Sequence, residues 1–265
     1  MANLVNQTHQ RPHSPSDNSD YGSDFSPEED LILDQIIAAR LGMSAGIERT
    51  LVGFMGCYAG VSALRTAFHT VRSDPAARVL VLNLELCTLH LQETTDLEQV
   101  LSFLVFADGC AASVISAETT GFVLDSFRAV MIPTTRDLIT WKIGGVGFDM
   151  LLSGQVPGAI AKALEHGGAE VLGDLHLESV RDTIRLWGVH PGGKSVLDAV
   201  ERGLRLRPEA LRCSREVLDL YGNMSSATVM FVMARLMQES RPGERGCAMS
   251  FGPGLTAETM LFHAA

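Results

Sequence analysis

The sequence predicts an α/β fold, as one large domain or two fused halves, with helices packed on sheets. Three observations carry that prediction. Apolar residues recur with period 2 in some segments and period 3.6 in others, and these segments alternate along the chain. The alternation runs through twice. Of the 265 residues 46% are hydrophobic, which is enough to bury a sizeable core. The expected division is a tail without regular structure over 1–25, a first half over 26–125 and a second half over 126–265.

The tail is dominated by Ser, Asp, Asn, His and Pro and cannot offset its ordering entropy by burial. Order is expected from Ser26-Pro27-Glu28-Glu29, where Ser caps, Pro suits the first helical position and Glu29 completes a capping box; the helix runs to about Leu41 and stops at Gly42. Residues 49–54 read as a short strand, and Ala59, Ala63, Ala67, Phe68 and Val71 recur at helical spacing up to Ser73. The run VLVLNLELCTLHL over 79–91 fits a strand buried on both faces, in a parallel or mixed sheet. A turn at 106–109 leads into a strand, CAASVISAE, and another strand follows over 122–132.

The second half repeats the theme. It reads as a helix from 156 to about 166, a short helical turn from about 179, a strand over 186–189 and a turn at His190-Pro191-Gly192-Gly193. Helices over 195–204, 214–220 and 225–239 follow, then strands over 247–251 and 256–262 around Gly252-Pro253-Gly254.

Composition excludes several function classes. With 21 Lys+Arg against 31 Asp+Glu the net charge is −10, opposite to a surface that neutralises phosphates, so no nucleic-acid partner is expected. Five cysteines, at 57, 87, 110, 213 and 247, include no CxxC pair, so neither a disulfide framework nor a zinc ribbon is readable and a reducing, cytoplasmic compartment is inferred. No apolar stretch reaches the roughly 18 to 20 residues that span a bilayer, so no membrane is expected. HExxH, GxGxxG and GxxxxGK[ST] are absent, so no metal, Rossmann or P-loop chemistry has support.

Three residues beside glycines carry candidate chemistry. Cys57, in Gly56-Cys57-Tyr58-Ala59-Gly60, is read at a strand-to-helix turn, where the helix dipole would lower a thiol's pKa; a core thiol is the plain alternative. His190 ends a buried strand beside a proline and two glycines, as an acid/base or donor, or as a structural histidine. Asn223, before an apolar helix, reads equally as a helix cap. A Cys, His, Asn set, each member at a strand or loop edge beside glycine, is rarer than its parts. The papain-like C-G-[SA]-C-[WY] context is missing.

The segments VGFMGCYAG, LVFADGCAA, GVHPGGKSVLDAVE, YGNMSSATVMF and SFGPGLTAE resemble, in order and spacing, the type III polyketide synthases, the chalcone and stilbene synthase family, over about residues 30–265. The resemblance implies a thiolase fold of two similar halves in a layered α/β/α/β/α arrangement, the first half incomplete. It implies a cytoplasmic homodimer that acts on acyl-CoA and malonyl-CoA, with no cofactor beyond these coenzyme A thioesters. By motif match, Cys57 resembles the nucleophile that takes up the starter acyl group, and His190 and Asn223 resemble the pair that binds the thioester carbonyl and supports malonyl decarboxylation. Their chemistry fits, since a decarboxylating malonyl thioester leaves an enolate that needs donors aimed at its oxygen, and an imidazolium beside Cys57 would hold a thiolate. Phe106 resembles one gatekeeper at the pocket mouth, with Phe148 or Met150 in the second position. Cys87 and His90 align with pocket-lining positions, alternatively ordinary strand packing. Ser225, Gly252, Pro253 and Gly254 complete the implied substrate-binding set. The alternatives are a ketoacyl synthase III-like condensing enzyme and an inactive, truncated paralogue. Before Cys57 the chain is shorter than the family pattern, so weak turnover and an associating sheet edge beside 79–91 are expected.

Overall fold

In the computed structural model, residues 2–9, 33–143, 148–172 and 182–265 are described. They divide into two compact units, Gln10–Val52 and a larger one made of Met1–His9 with Gly53–Ala265. The smaller unit contains helix α1 (Leu33–Arg40), and Arg49 pairs with Asp34 at 2.7 Å. The expected capping box at 26–29 lies outside the described residues, as does the helical turn from 179.

The larger unit is built on a seven-stranded sheet. Its strands in chain order are β1 (Ala2–His9), β2 (Val79–Glu85), β3 (Gly109–Ser116), β4 (Phe122–Met131), then, after the hairpin strands β5 (Ile139–Ile143) and β6 (Phe148–Leu152), β7 (Ile184–Val189), β8 (Arg245–Gly252) and β9 (Thr256–Ala264). The order across the sheet is β2-β3-β1-β4-β9-β8-β7; only β7 and β8 pair in parallel. The sheet is therefore mixed. The helices are α2 (Ala59–Ser73), α3 (Leu97–Val105), α4 (Val156–Leu172), α5 (Lys194–Leu204), α6 (Arg212–Tyr221) and α7 (Thr228–Glu239).

Strand alternation sends successive side chains to opposite faces, and each face has its own core. On β8 and β9, Ala248, Met260 and Phe262 join Val61, Leu64 and Phe68 of α2 and Met230 and Met233 of α7. Cys247, Met249, Phe251 and Ala257, of opposite parity, join Ile160 and Leu164 of α4 and Leu197 and Val200 of α5. The sheet is thus covered by α2 and α7 on one side and by α4 and α5 on the other.

Three expectations are corrected. Residues Ala2–His9, expected as tail, form β1 between β3 and β4, in register from Asn3↔Ser116 to His9↔Cys110. A strand added between two others is held by backbone hydrogen bonds, for which apolar content is no guide. Residues 49–54 form no strand. The 79–91 strand ends at Glu85, and Cys87–His90 turns as a 3-10 helix. Its burial is one-sided, because β2 is a terminal strand covered by α2 on one face: Val81 and Asn83 are buried while Leu82 and Leu84 are 37% and 39% exposed.

Candidate active site

The candidate residues are delivered by three separate elements of the larger unit. Cys57 stands in a 3-10 turn, Gly56–Tyr58, that runs directly into α2. Gly60, in the first turn of α2, permits a close approach: a Cβ there would lie 2.6 Å from the Ser226 carbonyl oxygen. That contact sets the start of α2 against the 3-10 turn Ser225–Ala227, beside Asn223.

His190 follows the last residue of β7, and its N–H donates to the Met249 carbonyl of β8 at 2.7 Å. Asn223 follows α6 through Gly222, whose positive φ of 71° any side chain would resist. It is zipped to the segment around Phe106: Asn223 N–H donates to the Val105 carbonyl and Ala107 N–H donates to the Asn223 carbonyl, both at 2.9 Å. The side chain is equally constrained. Oδ1 accepts from Ser225 N–H at 2.9 Å and Thr228 Oγ1 at 3.4 Å, and Nδ2 donates to the Gly192 carbonyl at 3.4 Å, tying the Asn223 loop to the His190 loop. Asn223 therefore supports the following turn, as a cap would, and also reaches the cavity.

Cys57, His190 and Asn223 meet at one cavity of about 140 Å³. The Cys57 thiol donates to Asn223 Oδ1 at 4.0 Å. Phe106, Cys87, His90, Met150, Ser225, Gly252 and Pro253 also line the cavity; Gly254, at the same corner, is not among the lining residues. Of the two second-gatekeeper candidates, Met150 is on the wall, and the Phe148 side chain lies outside the described residues. Cys87 and His90 reach the wall from the 3-10 turn after β2, so the expected strand packing does not describe them.

The electrostatics correct the expected protonation states. Burial pushes the Cys57 thiol up to about 12; the hydrogen bond from Ser225 opposes this, the Glu85 carboxylate adds to it, and the Asn223 bond opposes it. The anticipated dipole-activated thiolate is absent in the resting chain, because desolvation outweighs the local helix terminus. Burial also pulls His190 down to about 3, so its imidazole is neutral, not the expected imidazolium. Its Nδ1 and Nε2 are both buried without a hydrogen-bond partner among the described residues, a costly state for a buried polar ring.

Two wall residues escape motif reading. Glu85 accepts from Ser226 N–H at 3.2 Å and from the Ser226 hydroxyl, and burial raises its carboxyl. A signal for it exists: in VLVLNLE, Asn83 and Glu85 keep the phase of Val79 and Val81, so two polar residues stand on the strand's covered face. Trp141 comes from the β5–β6 hairpin, whose ITWKI alternation was equally readable. Much of the remaining wall, including Leu86, Leu91, Phe103, Ile139 and Phe251, is apolar.

Comparison with known proteins agrees with this architecture. The family model for the N-terminal domain of chalcone and stilbene synthases matches residues 28–119, and that for their C-terminal domain matches 123–265. The alpha-pyrone synthesis polyketide synthase-like Pks18 of Mycobacterium tuberculosis is 35% identical over 240 residues, covering 87% of this chain and 61% of the relative. Among solved structures, PKS-I from the brown alga Ectocarpus siliculosus superposes with a TM-score of 0.80 at 32% identity, covering 88% of this chain and 65% of that one. The 1,3,6,8-tetrahydroxynaphthalene synthase of Streptomyces coelicolor gives a TM-score of 0.80 at 30% identity, covering 88% and 67%. The chain spans 61% of the length of the curated relatives it matches. With both domain models matched and a thiolase-like fold in common, this chain belongs to the chalcone and stilbene synthase family, the type III polyketide synthases.

Proposed function

We propose that this chain carries the condensing site of a polyketide-forming acyltransferase, which extends an acyl-CoA starter with malonyl-CoA. The observation that carries the reading is the convergence of Cys57, His190 and Asn223, from three elements, on one largely apolar cavity.

The resting states suggest how each group acts. Neutral His190 takes the Cys57 proton as the sulfur attacks the starter thioester, and returns it to the departing coenzyme A sulfur, so the acyl group passes to Cys57 with no net proton change. A malonyl thioester then occupies the same cavity. Its carboxylate leaves as CO₂, and the electron pair moves to the thioester oxygen as an enolate. An N–H of His190 and the Asn223 Nδ2 hydrogen not committed to Gly192 stabilise that charge, and neutral donors in a desolvated site are strong ones. Enolate carbon attacks the Cys57 thioester, the tetrahedral oxyanion collapses, and the Cys57 sulfur leaves as a thiolate that takes a proton from solvent to restore the thiol, with the extended chain now on coenzyme A.

Phe106 and Met150 are the gatekeepers in this reading, Cys87, His90, Ser225 and the Gly252-Pro253-Gly254 corner shape the pocket, and the working form is a homodimer. Among the described residues no helix is long and apolar enough to cross a membrane. The test is mass spectrometry of products from malonyl-CoA with a panel of acyl-CoA starters, run beside the same acyl groups on a carrier protein. Polyketide products from coenzyme A thioesters are expected. Products from carrier-protein thioesters alone would assign the chain to ketoacyl synthase III-like chemistry instead.

A further inference from the structure

The helix that bears the candidate nucleophile is fastened by a polar cluster outside the cavity. Glu258 on β9 is 2% exposed and has the parity of Met260 and Phe262, which face α2 and α7. Its Oε1 accepts from Ser62 Oγ and from Arg65 Nη2, both at 3.0 Å, and its Oε2 accepts from Arg65 Nη1 at 2.9 Å. Ser62 and Arg65 lie in the first two turns of α2, directly after Cys57. A guanidinium fork on a buried carboxylate fixes both distance and angle, so it leaves α2 little freedom to slide or rotate on β9.

The same part of the sheet reaches the nucleophile turn itself. A Cβ on Gly252 would stand 2.5 Å from the Tyr58 ring. Cys57 is therefore gripped from two sides, by the β8–β9 corner and by the 225–227 turn against Gly60. Ser62, Arg65 and Glu258 do not line the cavity.

We propose that Arg65, Glu258 and Ser62 are positioning residues, an anchor that sets where α2 holds the Cys57 sulfur relative to Asn223 and His190. The proposal rests on the reading of Cys57 as the acyl acceptor. A purely stabilising role predicts something different, because replacing a buried ion pair by apolar residues of similar volume is often neutral or stabilising.

The experiment uses the 265-residue chain, its Glu258→Gln, Glu258→Ala and Arg65→Lys variants, and the double variant Arg65→Met/Glu258→Leu. Folding is followed by near-ultraviolet circular dichroism. The rate of hexanoyl transfer from hexanoyl-CoA to Cys57 is followed by mass spectrometry, and the Cys57 alkylation rate by iodoacetamide. Misplacing a reacting atom by about 1 Å costs on the order of 100-fold. The expectation is a loss of about 100-fold in saturating transfer rate for Glu258→Ala and for the folded double variant. Smaller losses are expected for Glu258→Gln and Arg65→Lys, which each keep part of the network, with half-saturation by hexanoyl-CoA within about twofold throughout. Folded variants that transfer at the wild-type rate overturn the anchor, as does loss of folding in every variant. If the wild-type chain takes up no hexanoyl group, the functional reading fails instead. The anchor is then judged by alkylation alone, where a changed Cys57 rate in folded variants supports it and an unchanged rate overturns it.

Discussion

At the scale of single residues, the proposed chemistry depends on half-buried Cys57 and buried His190, both resting uncharged. With its thiol pushed up to about 12, Cys57 is almost wholly protonated at neutral pH. Its alkylation by iodoacetamide should be slow at pH 7 and rise about tenfold per pH unit through pH 9 without a plateau; a plateau near pH 7 would reveal an activated thiolate. His190 has the opposite displacement, from an ordinary 6.5 down to about 3. Between those values the unfolded chain binds a proton that the folded chain refuses. This contribution to stability is therefore complete above about pH 6.5 and is lost as pH falls toward 3. The drop in melting temperature from pH 7 to pH 5 should accordingly be smaller in His190→Gln than in the wild type. His190→Ala and Asn223→Ala should each slow malonyl-CoA decarboxylation by about 100- to 1,000-fold, the usual loss of one preorganised donor, with folding retained. Near-normal decarboxylation in either variant refutes the donor role. That Cys57, His190 and Asn223 are candidates for one site was legible from their glycine-rich contexts, and they do line one cavity. Their protonation states were not, since burial is decided by elements far away in sequence.

At the scale of elements, legibility follows the amount of tertiary context each one needs. Helix α2 was readable because its apolar period coincides with the face it buries, and strands β7, β8 and β9 because they are short apolar runs bounded by turn residues and buried on both faces. The 79–91 run misled because Leu86, Leu89 and Leu91 continue an apolar composition past Glu85, where the chain has already turned into the cavity wall. Strand β1 could not be read at all, since its ladder partners are more than 100 residues away. The decisive local feature is Gly60. A side chain there meets the Ser226 carbonyl, so Gly60→Val should force α2 away from the 225–227 turn. The expected result is a loss of about 1–3 kcal/mol in stability by urea denaturation, the cost of overpacking, together with reduced transfer to Cys57. Wild-type stability in that variant would mean the two elements are not in fixed register.

For the whole molecule, the two-faced sheet explains how one chain places three distant residues within one cavity. Residues 57, 190 and 223 all stand at the ends of elements that share the sheet, α2 and α7 on one face and α5 on the other. At the sheet's end, β2 pairs only with β3 among the described residues, and Leu82 and Leu84 are 37% and 39% exposed on one face of the strand. Exposed apolar edges associate. Size-exclusion chromatography of Leu84→Glu should show less self-association than the wild type, and an unchanged profile would remove this edge as its cause. The central claim is that Cys57, and no other thiol of the five, accepts the acyl group. It is tested most directly by peptide-mapped mass spectrometry of the chain after incubation with a starter acyl-CoA. The account predicts an acyl mass increment on the Cys57 peptide alone, abolished in Cys57→Ala; an increment on Cys87 with Cys57 unmodified would contradict it.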